Sequence, residues 1–342
     1  MIPEEKSVAV ARALGEAFGA TEFEDIRRMS NWLPWNLVFR IVVRGCPYIL
    51  RIVTKTYDVP TRQYTCMKAA AEAGLAPRVW YINMEDQVSI IDFVNAAPFA
   101  VEDALVQIPA TLRRLHALPP FVRGVNHLNT TCTFLLNKEP AVDGFLTRFR
   151  AANFLPKDES EELLARYGQV AAIYPRDEAD MVSSHNDLKP ENIIFDGQRM
   201  WLVDWEAAFL NDRYNDLAVI ANFVATNETE VREYLQTYFG HAPDEYQLAR
   251  FYVTRQLVHM FYAMGYLLLG SSGERVDHRE KTPEFEDFHR RLWAGEVDLG
   301  DKRMKTIYGR VHGERLLRNV GQARFDEALR IVADGRAGSL LG

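Results

Sequence analysis

Apolar residues recur at helical spacing near the start of the chain, where Val8, Ala11, Leu14, Ala17 and Phe18 predict a helix over residues 3–19 that stops at Gly19. Two runs of strand character follow, Leu37–Val43 and Tyr48–Val53, with Arg44-Gly45-Cys46-Pro47 turning between them. A helix over 60–73 is closed by Gly74, with Pro77 just beyond. Further strands are expected at Val79–Ile82 and Val88–Ile91, and a helix runs through Leu112–Leu118. Residues 119–180 begin as a Pro-rich, polar loop, with a polar stretch at 126–133 and helical pieces around 141–153 and 158–173. Two short apolar runs, Ile193–Phe195 and Met200–Val203, then form a hairpin. Helices are predicted over 217–225, 228–239 (ended by Gly240) and 244–269, followed by a charged loop at 271–284 and more helix up to Ile331.

The polar positions around the late hairpin carry the chemistry. Ser184-His185-Asn186-Asp187-Leu188-Lys189-Pro190-Glu191-Asn192 leads into the first strand, and the second delivers Asp204-Trp205-Glu206. Asp187, Asn192 and Asp204 therefore stand at the ends of a hairpin. Magnesium takes hard oxygen ligands, usually one or two carboxylates completed by phosphate oxygens. Asn192 and Asp204 supply such oxygens, which leaves Asp187 to accept the proton of an attacking hydroxyl. The catalytic loop of kinases reads His-x-Asp, four residues, then Asn, and His185, Asp187 and Asn192 have that spacing. Acids and amides also populate ordinary turns. What separates the two readings is that loop, spacing, strand and second acid occur together and in order.

Asp204-Trp205-Glu206 stands where protein kinases carry Asp-Phe-Gly. With the loop before it, this stretch resembles the choline/ethanolamine kinase and aminoglycoside phosphotransferase superfamily, whose members carry Asp-Trp-Glu or Asp-Tyr-Glu there. The resemblance runs over roughly residues 30–270 and is sharpest at 184–218. It implies a bilobal, protein-kinase-like α+β fold. A small mixed N-lobe with an antiparallel sheet of five or so strands would span residues 1–94 and bind nucleotide. A larger, mainly helical C-lobe over 95–342 would hold the catalytic and substrate-binding groups. The cofactors implied are ATP and Mg2+.

Site residues follow from the same resemblance. The loop ahead of the first hairpin covers the ATP phosphates in kinase-like folds. Here it has no glycine, and Ser30, Asn31 and Asn36 would reach phosphate by side chain or backbone, the alternative being a plain solvent loop. Arg51, inside an apolar strand, stands where kinases hold phosphates with Lys, and choline kinases resemble this chain in using Arg. In that family a Glu eleven residues before the helix-closing Gly pairs with this cation. The position here is Gln63, which can hydrogen-bond Arg51 but cannot neutralise it. Asp92, Phe93 and Val94 look like the hinge whose backbone binds adenine. Asp216, in Asp-Leu-Ala, is expected to brace the catalytic loop or cap a helix, and His116, in Leu-His-Ala-Leu, to be structural. Glu206 and Asp212 are candidate substrate contacts, though each has an ordinary alternative as an ion pair or turn cap. Choline kinases build a cationic pocket from aromatics late in the chain, which makes Tyr252 and Tyr262 candidates for cation–π contacts. They also carry an acid on the helix after Asp-Leu-Ala, where this chain has Val219, Ile220, Asn222 and Phe223.

Composition narrows the partners. The 342 residues are enough for two lobes with real cores, and a 25% charged fraction is that of an ordinary soluble protein. A net charge of −7 disfavours a nucleic-acid surface and suits a cationic small molecule. Cys46, Cys66 and Cys132 have no metal-ligand spacing and read as reduced thiols. No basic-then-apolar signal opens the sequence, and no apolar run reaches the roughly 18 residues of a membrane span, so a cytoplasmic location away from the membrane is expected. The function expected is transfer of the ATP γ-phosphate to a hydroxyl of an amino alcohol of the choline/ethanolamine type. The alternatives are an aminoglycoside or other antibiotic as acceptor, a protein kinase without the usual peptide platform, and a nucleotide-binding module without catalysis.

Overall fold

A computed structural model describes residues 2–30, 36–54, 59–122, 146–147, 149–151, 156–175, 178–270 and 281–339. Asn31, the side chain of Ser30, the polar stretch 126–133 with Cys132, and residues 271–280 of the charged loop lie outside them. The chain divides into two compact units: residues 1–99 with 191–208, and residues 100–190 with 209–342. This division differs from a single cut at residue 94 mainly in placing the 191–208 hairpin with the N-terminal strands.

The first unit opens with helix α1 (Ser7–Phe18), which ends as Gly19 turns left-handed at φ 63° and donates back to Gly15. Ala9, Val10, Ala13 and Leu14 make a buried stripe that lies on a five-stranded antiparallel sheet. Its strands are β1 (Asp25–Ser30), β2 (Asn36–Val43), β3 (Cys46–Val53), β4 (Val79–Asn83) and β5 (Val88–Asp92), in the order β1-β2-β3-β5-β4. Strand β2 alternates strictly, with Leu37, Phe39, Ile41 and Val43 buried in the same core as Leu50, Ile52, Val88 and Ile90. Helix α2 (Val59–Glu72) and the hairpin of β7 (Ile193–Phe195) and β8 (Met200–Leu202) complete the unit. Strand β1 was not legible as a strand, because Asp25, Arg27 and Arg28 leave it only Ile26 packed on the core. Charged residues are how an edge strand avoids pairing with another chain, and they hide its alternation.

The second unit is mostly helical: α3 (Val101–His116), α4 (Lys157–Ile173), α5 (Arg213–Val224), α6 (Glu228–Phe239), α7 (Glu245–Gly270), α8 (Phe285–Trp293), α9 (Lys302–Val320) and α10 (Ala323–Ser339). It also has a small antiparallel pair, β6 (Met181–Ser184) with β9 (Phe209–Asp212), too short for periodicity to reveal. Helix α5 is buried all round, and α7 nearly so. Helix α9 lies so close to α7 that a Cβ on Gly309 would stand 2.8 Å from the backbone nitrogen of Leu267. Among the described residues no helix is long and apolar enough to cross a membrane.

Candidate functional site

In the first unit the β7–β8 hairpin sets the geometry. Its ladder pairs Ile193 with Leu202, Ile194 with Trp201 and Phe195 with Met200. At the turn, the Asp196 carboxylate accepts from the backbone N–H of Arg199 (2.9 Å) and Gln198 (2.8 Å) and from the indole N–H of Trp201 (2.7 Å), bonds that hold its carboxyl below the usual range. At the open end, the Val203 N–H donates to the Asn192 carbonyl at 3.0 Å, one rung beyond the ladder. Asn192 and Asp204 therefore leave the hairpin at the same end. Asp204 is left-handed, at φ 64° and ψ 67°. That conformation costs about 1–2 kcal/mol for a residue with a Cβ, and Asp is among the few that tolerate it. It starts a single turn, Trp205–Ala207, anchored by the buried Trp205, whose indole donates to Leu202 O at 3.1 Å.

Arg51 reaches the same turn from β3, on the sheet face opposite Leu50 and Ile52. Its Nε donates to Asn36 Oδ1 (2.8 Å), and its two terminal nitrogens reach Asp204 Oδ1 (3.2 Å) and Glu206 Oε2 (3.4 Å). The side chain is 14% exposed, so the guanidinium is largely out of water while the two acids remain partly in it. Among the described residues the hydrogen-bond partners of Arg51 thus come from residues 36, 204 and 206. Gln63 of α2 is buried with its amide nitrogen unbonded among the described residues. Asp92 accepts from the Trp80 indole at 2.6 Å, the Phe93 ring lies 5.2 Å from the Arg40 guanidinium, and Val94 is half-buried.

Two carboxylates stand at this turn beside Arg51, Arg62 donates to the Glu206 carbonyl at 2.8 Å, and Asn192 leaves the hairpin at the same end. Such a donor set of hard oxygens fits Mg2+ held partly by phosphate. Among the described residues no three His, Cys, Asp or Glu side chains gather as a metal site by themselves, so the protein ligands would be few.

In the second unit the loop after β6 is hung on one carboxylate. Asp216, fully buried in α5, accepts from the backbone N–H groups of His185 (2.8 Å) and Asn186 (2.7 Å). His116 Nε2 lies 3.2 Å from the same carboxylate and its Nδ1 lies 2.7 Å from Tyr238 OH. With the carboxylate ionised, this pattern assigns the Nε2–H tautomer, and Tyr238 donates to Nδ1. Asn186 is left-handed at φ 69°, and its side-chain oxygen accepts from Asn211 (2.8 Å) and Asn215 (3.2 Å). Backbone and side chain of Asn186 are both fixed, and Asp187 follows it with 25% of its side chain exposed and Lys189 Nζ 3.2 Å from its Oδ2. Asp216 braces the loop without capping its helix, because α5 starts earlier than expected and Asp212 is the cap, accepting from Tyr214 N–H at 2.9 Å. Lys189 was not singled out in the sequence, although its place two residues after Asp187 made it visible.

Three sequence candidates for substrate contact have protein neighbours of their own. Asp212 is buried and also bonds Tyr174 OH (2.9 Å) and the Arg250 guanidinium (2.6 Å). Tyr262 is core, packed edge-on against Tyr266 and His312. Tyr252 already has a protein cation, Arg324, 4.7 Å from its ring.

Residues 36–252 match the model of the family described as "Phosphotransferase enzyme family". A stretch of 79 residues is 32% identical to Protein LicA of Haemophilus influenzae, and covers 22% of this chain and 29% of that protein. Among solved structures, a choline/ethanolamine kinase family protein from Mesorhizobium loti is 19% identical, with a TM-score of 0.64 over 96% of this chain and 99% of that one. Spectinomycin phosphotransferase APH(9)-Ia, solved with ADP and spectinomycin, is 11% identical, with a TM-score of 0.52 over 89% of this chain and 98% of that one. At such identities the likeness shows the fold, which is the kinase-like α+β fold expected from the sequence.

Proposed function

Since the chain belongs to the Phosphotransferase enzyme family through residues 36–252, we propose that it is a small-molecule kinase, moving the γ-phosphate of ATP to a hydroxyl of an amino alcohol of the choline/ethanolamine type. The observation that carries the reading is the end of the β7–β8 hairpin, where Asp204 is held in a left-handed turn against Arg51. Nucleotide phosphates are the task of the first unit. Three of the five N–H donors of Arg51 are used by Asn36, Asp204 and Glu206, and the remaining two are available in kind for phosphate oxygens. Asn192 and Asp204 would hold Mg2+, which when bound supplies positive charge to the phosphate oxygens. Glu206 keeps the guanidinium oriented.

Asp187 acts on the acceptor. Its carboxylate takes the hydroxyl proton as the acceptor oxygen forms its bond to the γ-phosphorus and the bond to the leaving ADP oxygen breaks. Most of the effect is positioning, since phosphoryl transfer asks little covalent chemistry of the protein. Lys189 steadies the carboxylate from one side, and Asp216 fixes the backbone that carries it.

A second reading, with an aminoglycoside or other antibiotic as acceptor, stays open because one feature departs from the choline kinase pattern. Helix α5 carries no acid where choline kinases have one, and Val219, Ile220, Asn222 and Phe223 are buried. ATP consumption across choline, ethanolamine, homoserine, sugars and aminoglycosides separates the acceptors. Nucleotide binding without turnover on any of them would favour the non-catalytic module. Asp187→Asn should fold normally and lose turnover by orders of magnitude. Near-normal phosphoryl transfer by that variant would remove Asp187 from the role of base.

A further inference from the structure

The second unit contains a cavity of about 240 Å3 whose wall includes Tyr252 and Asn222, both weighed above as acceptor positions. It is lined from α5, α7, α8 and α9 and by the starts of α6 and α10, and no residue of 184–192 or 204–206 takes part. Three guanidiniums face it: Arg255, Arg315 and Arg324. Two of them have carboxylate partners, Arg315 with Glu286 and Arg324 with Glu228. Arg255 has none among the described residues. It donates to the Asn222 side-chain oxygen at 3.1 Å and to the Ala225 carbonyl at 3.3 Å, both neutral.

A partly buried cation held only by neutral acceptors and flanked by two further cations is poorly compensated. Desolvation first, then Arg315 and Arg324, push the Arg255 guanidinium down to about 10, far from where arginine ordinarily sits. Three positive charges against two negative leave the cavity walls one positive charge in excess, and burial makes that charge count. Guanidinium donors in a fixed fork match the geometry of carboxylate and phosphate oxygens. The rest of the wall suits a polar organic body, with the Asn319 and Gln256 amides and the Tyr252 and Phe285 rings among its lining.

We infer that this cavity is a binding site for a small molecule with an oxyanion head, phosphate or carboxylate, that pairs with Arg255. The volume exceeds that of the head alone and admits a small body beside it. The site lies in the second unit, and α5 carries both Asn222 at its wall and Asp216, which braces the catalytic loop, roughly 9 Å apart at 1.5 Å per residue.

The test is thermal unfolding of the full chain with inorganic phosphate, and separately with acetate, against chloride at matched ionic strength. A saturable rise on the order of 2 °C is expected at about ten times the half-saturating concentration. Arg255→Gln should abolish the rise and Arg324→Gln should weaken it, whereas Arg51→Gln, in the other unit, should leave it intact. Whichever anion gives the rise identifies the head. No saturable rise with either anion overturns the inference. So does a rise that survives Arg255→Gln, or one that disappears only with Arg51→Gln. If Arg255 merely caps the end of α5, Arg255→Gln lowers the midpoint equally in phosphate and chloride, and the inference again fails. Should Arg255→Gln not fold, Arg324→Gln decides: its side chain is 43% exposed, and an unchanged phosphate response there refutes the site.

Discussion

Asp216 is the residue on which the position of Asp187 turns, and Asp216→Asn tests that. The substitution keeps the shape and exchanges one carboxylate oxygen for an NH2 group. The cheaper orientation keeps oxygen at Oδ2, which serves both His185 N–H and His116, and places the NH2 against Asn186 N–H. One charge-assisted bond is lost, worth roughly 1.5–3 kcal/mol, and buried donors are left facing each other at about 1–3 kcal/mol. Together these destabilise the fold by roughly 2.5–6 kcal/mol, less whatever the loop recovers by moving. Movement is the functional part. Asn186 is held at φ 69° by that bond and by Asn211 and Asn215. Once released it can relax toward ordinary φ and carry Asp187 with it. A displacement of about 1 Å costs on the order of 100-fold in rate. Calorimetry should show the lower midpoint. Steady-state kinetics should show kcat falling on the order of 100-fold with KM for ATP little changed. Tyr238→Phe is the control: it removes the donor to His116 Nδ1 and an acceptor for Arg213, at a cost of about 1 kcal/mol per bond, and turnover should stay within a few-fold. A folded Asp216→Asn protein with kcat within threefold of the parent would refute the positioning argument.

Acid should weaken the second unit through His259, His289 and His312. Burial holds His289 down to about 3, and burial also holds His259 and His312 well below their ordinary value, with Arg255 and Arg315 or neighbouring histidines adding to it. Above pH ~6.5 both folded and unfolded chains carry these rings neutral; as pH falls below it the unfolded chain binds protons that the folded chain refuses. His289 alone should cost about 2 kcal/mol at pH 5, and the other two act in the same direction. Urea midpoints at pH 7.5 and 5 measure the effect, and a slope unchanged by His289→Gln would count against it. Arg250→Met strips the guanidinium from Asp180 and Asp212, leaving Asp212 buried with only Tyr214 N–H and Tyr174 OH. A loss of roughly 3–5 kcal/mol is expected in denaturant unfolding. A loss below 1 kcal/mol would mean that the two neutral donors suffice.

What the sequence discloses is what short separations carry. Asp187, Asn192 and Asp204 fall within eighteen residues, and their loop and hairpin could be read directly from spacing and alternation. Helix α1 and its Gly19 stop, strand β2 and most of the later helices were legible for the same reason, since a single period runs through each. Hidden features are of two kinds. Strands β1, β6 and β9 are too polar or too short to impose a period. Charge pairing is hidden for another reason: Arg51 meets Asp204 and Glu206 across 153 and 155 residues, and Arg250 meets Asp212 across 38, with no local signal at either end.

The pairing of Arg51 bears on whether the chain is an enzyme at all. The case for a module without catalysis drew on two departures from the family pattern, a glycine-free loop and Gln63 in place of a helix Glu. A Glu at that position matters because a partly buried cation needs a counter-charge and a fixed direction. Here Asp204 and Glu206 provide the charge and Asn36 the third point of attachment, so Arg51 is neutralised and aimed without a carboxylate from α2, whose Arg62 instead donates to the Glu206 carbonyl at 2.8 Å. Gln63, buried with its amide nitrogen unbonded among the described residues, is a position freed from that duty, not evidence of a dismantled site. The arrangement also ties the clamp to the metal ligand, since Asp204 serves both. Arg51→Met should therefore weaken more than phosphate binding: it leaves two adjacent acids at the turn without their ion-pair partner.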